Sequence, residues 1–240
     1  MIEALLLRLR ARDEVSAAEE QVLRRAVEHS HEVPPGTIVG REGREVQVAT
    51  LLIDGFMCRY KMLGDGKRQI LELQVAGDFM DLHGFTLKRL DYSVMALGPC
   101  RIAHVPHARL RQITQEHAHL TRLLWFTTNL DAAAHRSWVL SLGRRLALPR
   151  LAHLFCELHL RLQLAGRVAA DDSYPLPLTQ IDLSDCLGTT PVHVNRTMQM
   201  LRETGFADFR SGVVHIHDMA GLHELAGFDP QYLYLNRAPL

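Results

Sequence analysis

The chain has 240 residues, with 27 Lys and Arg balanced by 27 Asp and Glu, so its formal net charge is zero when histidine is neutral. That length has room for two domains with separate cores, and 47% hydrophobic with 22% charged residues is the balance of a soluble globular protein. No run approaches the 18 uninterrupted apolar residues of a membrane span, and Cys58, Cys100, Cys156 and Cys186 include no Cys-x-x-Cys pair, which argues against a zinc knuckle or a disulfide framework. The opening MIEALLLRLRARDE is too short and too charged for a secretion signal, so a cytoplasmic protein with no membrane partner is expected.

Ser16 with Glu19 three residues on is a capping box, and Val22, Leu23, Ala26 and Val27 continue it as one amphipathic helix ending near Ser30. The texture then changes to short alternating segments broken by Pro34, Pro35, Gly36, Gly40 and Gly43. Strands are expected at Thr37 to Val39, Val48 to Ile53, Phe56 to Met62, Arg68 to Val75, Asp91 to Leu97 and Cys100 to Pro106, with a hairpin turn at Gly64, Asp65 and Gly66. Strands this short and this closely spaced suggest a small antiparallel barrel or roll.

From Ala118 the pattern turns helical. Leu120, Leu123, Thr127, Leu130, Ala134, Ser137 and Ser141 recur every three to four residues, the spacing of a two-helix seam, with Leu124, Asp131 and Trp138 flanking them. The same stripe also suits a helix lying on its own domain. Gly143, followed by Arg144 and Arg145, interrupts the pattern and is the candidate hinge. A further amphipathic helix starts at or near Pro149, buries Leu151, Leu154, Phe155, Leu158 and Leu162, and ends at Gly166. Asp171 to Pro177 (DDSYPLP) reads as loop.

Thr179 to Glu203 reads TQIDLSDCLGTTPVHVNRTMQMLRE, and its punctuation marks two helices. Thr179 caps the first, with Asp182 in the first turn, Ile181, Leu183 and Leu187 as apolar contacts, and Gly188 where a left-handed end is needed. Thr190 and Pro191 then cap and open the second. Its inward stripe is Val194, Thr197, Met198 and Leu201, and its outward face is Val192, His193, Asn195, Arg196 and Gln199. Two short helices joined by a glycine-containing turn match the DNA-reading helix-turn-helix, and Arg, Asn and Gln are the side chains that pair with guanine and adenine edges. An interior helical hairpin would carry the same outward residues as ordinary solvated groups.

Phe206 to Asp218 (FADFRSGVVHIHD) follows as a hairpin, with Arg210, Ser211 and Gly212 at the turn, so the whole reads as a winged helix. His215 and His217 share one strand face and are expected to be solvated. Met219 to Ala226 is expected to be a short helix, and FDPQYLYLNRAPL is apolar enough to pack on the DNA-reading domain.

The run PLTQIDLSDCLGTTPVHVNRTMQMLRETG resembles, nearly end to end, the C-terminal motif of the Crp/Fnr transcription regulators. More weakly, PPGTIVGREG, LGDGKRQI and VAGDF resemble the cyclic-nucleotide-binding roll of that family. The resemblance implies an α+β protein: an N-terminal antiparallel β-roll sensory domain with its helix (1–117), a long dimerisation helix and hinge (118–145), and a C-terminal winged helix-turn-helix (146–240). It implies that Thr179, Gln180 and Thr190 hold the phosphate backbone while Val192, His193 and Arg196 face the major groove with Asn195 beside them, Arg196 falling on the guanine-reading arginine. Many members carry glutamate where this chain has Val192, so its operator should differ at that base pair. A helix joining such a roll to such a DNA-reading unit favours pairing with its twin, giving a homodimer with Leu120, Leu123, Thr127, Leu130 and Ala134 at the interface. RNA polymerase is an expected further partner, and no covalent chemistry is expected.

Nucleotide-binding members use a glutamate for the ribose and an Arg-Ser pair for the cyclic phosphate. Here the corresponding places hold Leu82 and Tyr92, with only Ser93 retained, which argues against cyclic AMP because an anion buried without its cation carries a large desolvation cost. An iron–sulfur cluster needs four convergent thiolates, and two of the four cysteines lie in or beside the DNA-reading part. Haem or metal stays open, because the chain has 14 histidines and the pairs His29/His31, His104/His107 and His117/His119. The rival from another class is a cupin-like metal-dependent enzyme, or a metal- or haem-sensing regulator. It would need a His-x-His on a strand, whereas His29 and His31 are read as preceding the strands and His117 and His119 as starting a helix.

Overall fold

The computed structural model describes residues 1–240 and opens with two helices, α1 (Glu3–Arg12) and α2 (Ala17–Ala26). Strands β1 (His31–Val33), β2 (Ile38–Gly40), β3 (Val48–Asp54), β4 (Met57–Met62) and β5 (Arg68–Gln74) follow, then a short helix α3 (Gly84–Leu87) and strands β6 (Ser93–Ala96) and β7 (Cys100–Pro106). Next come α4 (His107–Glu116), α5 (Ala118–Arg144) and α6 (Ala147–Leu164). The remainder comprises β8 (Ser173–Pro175), α7 (Gln180–Leu187), α8 (Pro191–Thr204), β9 (Ala207–Arg210), β10 (Val213–Ile216), α9 (Met219–Ala226) and a 3-10 turn at Pro230–Leu233.

Two antiparallel sheets, ordered β1-β7-β3 and β2-β6-β4-β5, form the roll, and β8-β10-β9 forms the wing. The roll interior is filled by Val33, Leu52, Met57, Met80, Leu90, Tyr92, Val94 and Ile102. Strand β4 is buried on both faces: Met57 points into that core, whereas Cys58 and Tyr60 join a larger core shared with Trp138, α6 and the helices beyond it. The four-stranded sheet is therefore a shared wall between the roll and the C-terminal half, so its strands lack the simple in-and-out alternation of a half-solvated sheet.

Helix α1 is absent from the sequence reading. Its buried face of Leu5, Leu6 and Leu9 is interleaved with arginines, which hides the period. It packs so tightly on the turn at Gly77 that an added Cβ there would lie 2.8 Å from the carbonyl carbon of Ala4, and the positive φ of 92° at Gly77 likewise requires glycine. The capping box at Ser16 forms as expected, with Ser16 Oγ accepting from Glu19 N–H and the Glu19 carboxylate accepting from Ser16 N–H. Helix α2 stops at Ala26 rather than near Ser30, because Glu28 N–H donates to His104 O and pulls the chain alongside the sheet. For the same reason His31 does not precede the strands but opens β1, opposite Ile102. Helix α4 is a second unpredicted helix, as its buried stripe has only His107, Leu110 and Ile113 to announce it. Asp171 to Pro177 is not all loop, since Ser173–Pro175 pairs with β10 as a third wing strand.

Helix α5 continues through Gly143, and the break falls one step later, where Arg145 is extended and Leu146 caps α6. Leu120 and Leu123 have no exposed surface and pack in a core with α1, α2, β3, β7 and α4, and Ala134 is buried as well. Thr127, Leu130 and Ala134 face α1 and α6. Of the stripe expected to meet a twin, Leu120, Leu123 and Ala134 are thus taken up by their own chain, whereas Thr127 and Leu130 stay half-buried. The exposed line on α5 is Arg122, Trp125, Asn129, Ala132, Arg136, Val139 and Gly143, two residues out of phase and so about 200° round the helix.

Polar groups on the inner face of α5 meet a buried ionic cluster. The fully buried Arg59 donates to Glu72 Oε2 (2.8 Å), Asp131 Oδ2 (2.8 Å) and the carbonyls of Phe79 (2.8 Å) and Met80 (2.9 Å). Glu72 also takes His135 Nε2 at 3.1 Å, while Arg161 of α6 reaches Asp78 (2.8 Å) and Glu157 (3.1 Å). Arg8 of α1 pairs with Asp78 from the other side. Burial alone would raise the Glu72 carboxyl, but Arg59, His135 and Arg161 together hold it down at about 2.

Two imidazoles set a pH dependence. Glu19 (2.6 Å) and Asp13 (3.1 Å) raise the pKa of His119, and Glu72 raises that of His135. An imidazole with a higher pKa in the folded chain adds stability that is fully present below its unfolded value of 6.5 and is lost as pH rises through the raised value. Burial lowers the pKa of His83, His104, His107, His153 and His223, which act in the opposite sense, so the effect is read as a difference: the advantage in thermal midpoint of wild type over the double variant His119→Gln, His135→Gln should shrink between about pH 6 and about pH 8. An advantage that grows across that range would contradict these pairings.

Candidate nucleic-acid interface

Helix α7 begins as its sequence requires. Thr179 Oγ1 accepts from Asp182 N–H at 3.1 Å, Asp182 Oδ2 accepts from Thr179 N–H at 2.9 Å, and the Thr179 hydroxyl donates to the same carboxylate at 2.6 Å. Leu183, Cys186 and Leu187 are buried beneath it. Ile181, expected among the apolar contacts, is instead 61% exposed, because it stands one position from Gln180 on the outer side of the first turn. The helix ends at Gly188 in the left-handed region, φ 59°, and Thr189 N–H closes back onto Ser184 O.

Helix α8 follows with Thr190 Oγ1 accepting from His193 N–H and Pro191 in the first turn. Val194, Thr197 and Leu201 are buried with Met198 against them, and the Thr197 hydroxyl is satisfied by His193 O at 2.8 Å. That anchoring leaves Val192, His193, Asn195, Arg196 and Gln199 exposed in one patch together with Gln180 and Thr190. Gln199 Nε2 bonds Glu203 Oε1 one turn on, at 3.2 Å, so its amide is partly engaged. Thr179 and Thr190 are not equivalent: the first has given its hydroxyl hydrogen to Asp182, whereas the second only accepts, leaving its hydrogen for an outside acceptor.

The wing lies beside this patch. Ser211 (φ 52°) and Gly212 (φ 78°) form the two-residue turn between β9 and β10, with both residues left-handed as a tight hairpin prefers. His215 and His217 stack at 6.4 Å, and His217 lies 3.5 Å from Asp208, a pair rather than a metal site.

Sequence reasoning missed what neutralises the inner side of α7. Arg68 of β5 donates to Asp182 (2.5 Å) and Asp185 (2.7 Å), and Gln69 Nε2 donates to Asp185 O (2.7 Å). These partners are more than a hundred residues apart, so no local pattern announces them. The arginine pairs with two acids of the helix-turn-helix and offsets half of their charge, which lowers the repulsion a polyanion would meet.

The roll is a poor fit for a cyclic nucleotide. Leu82 and Tyr92 are buried, and the Tyr92 hydroxyl donates to Met80 O at 2.7 Å. Arg59, the buried cation nearest that segment, is fully engaged by two carboxylates and two carbonyls. Lys88 donates to the Phe85 carbonyl, and Arg89 reaches Gly43 O on the surface. No guanidinium is left to neutralise a buried phosphate. The cysteines are four separate buried thiols. His31 and His104 bring their rings within 5.3 Å, while His119 is held by Asp13 and Glu19; no group of three or more His, Cys, Asp or Glu is placed to hold a metal ion. No helix is long and apolar enough to cross a membrane.

The family described as the Crp-like helix-turn-helix domain matches residues 149–225, and the cyclic nucleotide-binding domain matches residues 30–117. The nitrogen fixation regulation protein FixK of Bradyrhizobium diazoefficiens is 30% identical over 177 residues, 73% of this chain and 72% of its own. The transcriptional activator protein FnrL of Cereibacter sphaeroides is 27% identical over 219 residues, 88% of this chain and 86% of its own. Among solved structures, FixK2 from Bradyrhizobium japonicum superposes with a TM-score of 0.75 at 22% identity, covering 84% of this chain and 98% of that one. A CRP-family transcriptional regulator from Thermus thermophilus superposes at 0.66 with 16% identity, covering 82% and 97%.

Replacing Arg68 by Ala should cost roughly 1.5–3 kcal/mol, the range for hydrogen bonds to charged groups. It should also speed amide exchange in α7 and α8 while strands β3 and β7 stay protected. Equal protection of α7 in the variant would show that the arginine does not hold the helix.

Proposed function

The chain belongs to the Crp/Fnr family of transcription regulators, and from that membership we propose that it acts as a homodimer on a palindromic operator, with a roll that takes no cyclic nucleotide. One observation carries the DNA-reading part: α8 is fixed from beneath by Val194, Thr197 and Leu201 and presents Val192, His193, Asn195 and Arg196 outward on a capped, proline-started helix. Arg196 pairs bidentately with guanine, Asn195 and Gln199 suit adenine, and Val192 suits a thymine methyl group rather than the amino group of cytosine. Thr190 and Gln180 take backbone phosphates through their free donors. Thr179 acts mainly as the cap, since its hydroxyl is already engaged. With zero net charge the phosphate contribution is modest and base contacts carry more of the discrimination.

Dimerisation uses the exposed side of α5. Arg122, Trp125, Asn129, Ala132, Arg136, Val139 and Gly143 alternate at three and four residues along most of the helix, an exposed heptad repeat on which the chain itself touches only Arg122 through Leu240 O. Trp125 is 66% and Val139 71% exposed, a large apolar area for a lone helix to leave in water. Two such chains place their recognition helices in successive major grooves about 34 Å apart. RNA polymerase is the partner such a dimer meets at a promoter, the cytoplasm is where it works, and catalysis has no part in this reading. The cupin-like alternative has no ligand set to support it.

Selection of sites from a random duplex pool, with ligand-free protein, should enrich a palindrome. Arg196→Ala should relax one position in each half-site and cost roughly 1–3 kcal/mol in operator binding; an unchanged site preference would remove Arg196 from base reading. Trp125→Glu should give folded monomers in sedimentation, whereas Leu123→Ala should stay dimeric while losing about 2–5 kcal/mol of stability as a buried leucine. The reverse pair of outcomes would return the seam to the inner stripe.

A further inference from the structure

After α9 the chain does not remain on the DNA-reading domain, although its apolar composition suggested that it would. Phe228 packs with His153 and His223, and Asp229 caps the 3-10 turn. Tyr232 stacks on His153 (5.9 Å, 15°) and donates to Glu157 of α6 at 2.6 Å. Tyr234, left-handed at φ 50°, turns the chain across α5, where its ring meets Phe126 edge-on at 6.5 Å. Arg12 of α1 lies over the other side of Phe126 at 5.1 Å and donates to Asn236 O at 3.2 Å. Ala238 N–H donates to Arg12 O (3.0 Å), Leu240 N–H to Asp13 (2.5 Å), and Arg122 to Leu240 O (3.3 Å). The Leu240 side chain rests on the core of α1, α2 and the roll.

This segment thus begins on the DNA-reading domain and finishes on the sensory domain, spanning the hinge at Arg145 and Leu146. At the hinge Leu146 is 79% exposed, while the Arg145 side chain donates to the carbonyls of Ala226 and Gly227, where the segment starts, and Arg150 donates to the carbonyls of Ser141, Leu142 and Arg145. Beneath the segment lies a cavity of about 40 Å³, lined by Arg8, Leu9, Phe126, Asp131, Arg161 and Leu233.

We propose that residues 229–240 form a strap that binds the DNA-reading domain to the sensory domain and holds the recognition helix in one orientation before DNA arrives. The idea rests on the DNA-binding reading above. Holding the orientation in advance removes part of the entropy that would otherwise be lost on binding the operator. Release of the strap removes one of the ties between the two domains, leaving the pairs of Arg68 with Asp182 and of Arg161 with Asp78 to hold them, and so loosens the recognition helix and weakens binding without touching a single base contact. Nothing in the strap reaches Val192, His193, Asn195 or Arg196.

The test compares the intact chain with one stopped after Phe228, and with Arg12→Ala as a variant that keeps the whole length. Circular dichroism and sedimentation verify fold and dimer. Trypsin then reads the hinge, since Arg144 and Arg145 are its targets: cleavage there should be roughly tenfold faster without the strap, because proteolysis follows the open population. Operator affinity should fall roughly tenfold, within the usual span of coupling between sites. Arg12→Ala should move both readouts in the same direction by less, which decides the matter should the shortened chain fail to fold. Unchanged hinge cleavage overturns the strap, and tighter operator binding overturns the advance-ordering role. If the intact protein selects no DNA site, the DNA-binding reading fails, while the trypsin comparison still decides whether the strap holds the domain.

Discussion

The arrangement of this protein depends on the satisfaction of a set of buried charges that no single segment can satisfy. Arg59 comes from the roll, Asp131 and His135 from the long helix, Arg161 and Glu157 from the first helix of the C-terminal half, and Arg8 from the N-terminal helix; Glu72 and Asp78 lie between them. Burying such groups adds little net stability, because desolvation offsets most of the attraction. Separating them adds a large cost, since each would keep its burial and lose its partner. The cluster therefore acts less as glue than as a key for relative placement: roll, helix and DNA-reading domain fit together in the one way that pairs every charge.

That key also explains why the roll has become a wall rather than a cup. Its four-stranded sheet is buried on both faces, one turned into the roll and carrying Arg59 and Glu72, the other turned onto α6 and its neighbours. The Arg59 guanidinium and the Tyr92 hydroxyl take the Phe79 and Met80 carbonyls that line the segment after Gly77, so these polar groups satisfy one another and leave none over for a ligand. Sharing a fold with nucleotide-binding proteins does not decide what a roll takes up, because function follows the groups at the site and not the path of the backbone.

The long helix shows where one-dimensional reasoning reaches its limit. Two heptad-spaced stripes run along α5, about 200° apart. Periodicity gives the spacing of a seam and is silent about its partner. The more apolar stripe, with Leu120 and Leu123, went to the chain's own core, where apolar area is removed from water at no cost in association entropy. The mixed stripe of Trp125, Asn129, Arg136 and Val139 was left outside.

The sequence by itself determined what is written in adjacent residues. The caps at Ser16, Thr179 and Thr190, the left-handed glycine at Gly188, the proline that opens α8 and the split of that helix into a buried and an exposed face all lie within one or two turns, and short-range sterics and hydrogen bonding decide them. Only the tertiary structure decided what joins residues far apart: that α1 exists under its arginines, that Arg68 pairs with Asp182 and Asp185, that DDSYPLP supplies a wing strand, and that residues 229–240 return to α1. Each of those depends on a partner a long way along the chain. Such contacts are fixed by which surfaces and charges must be satisfied together, and no local period records them.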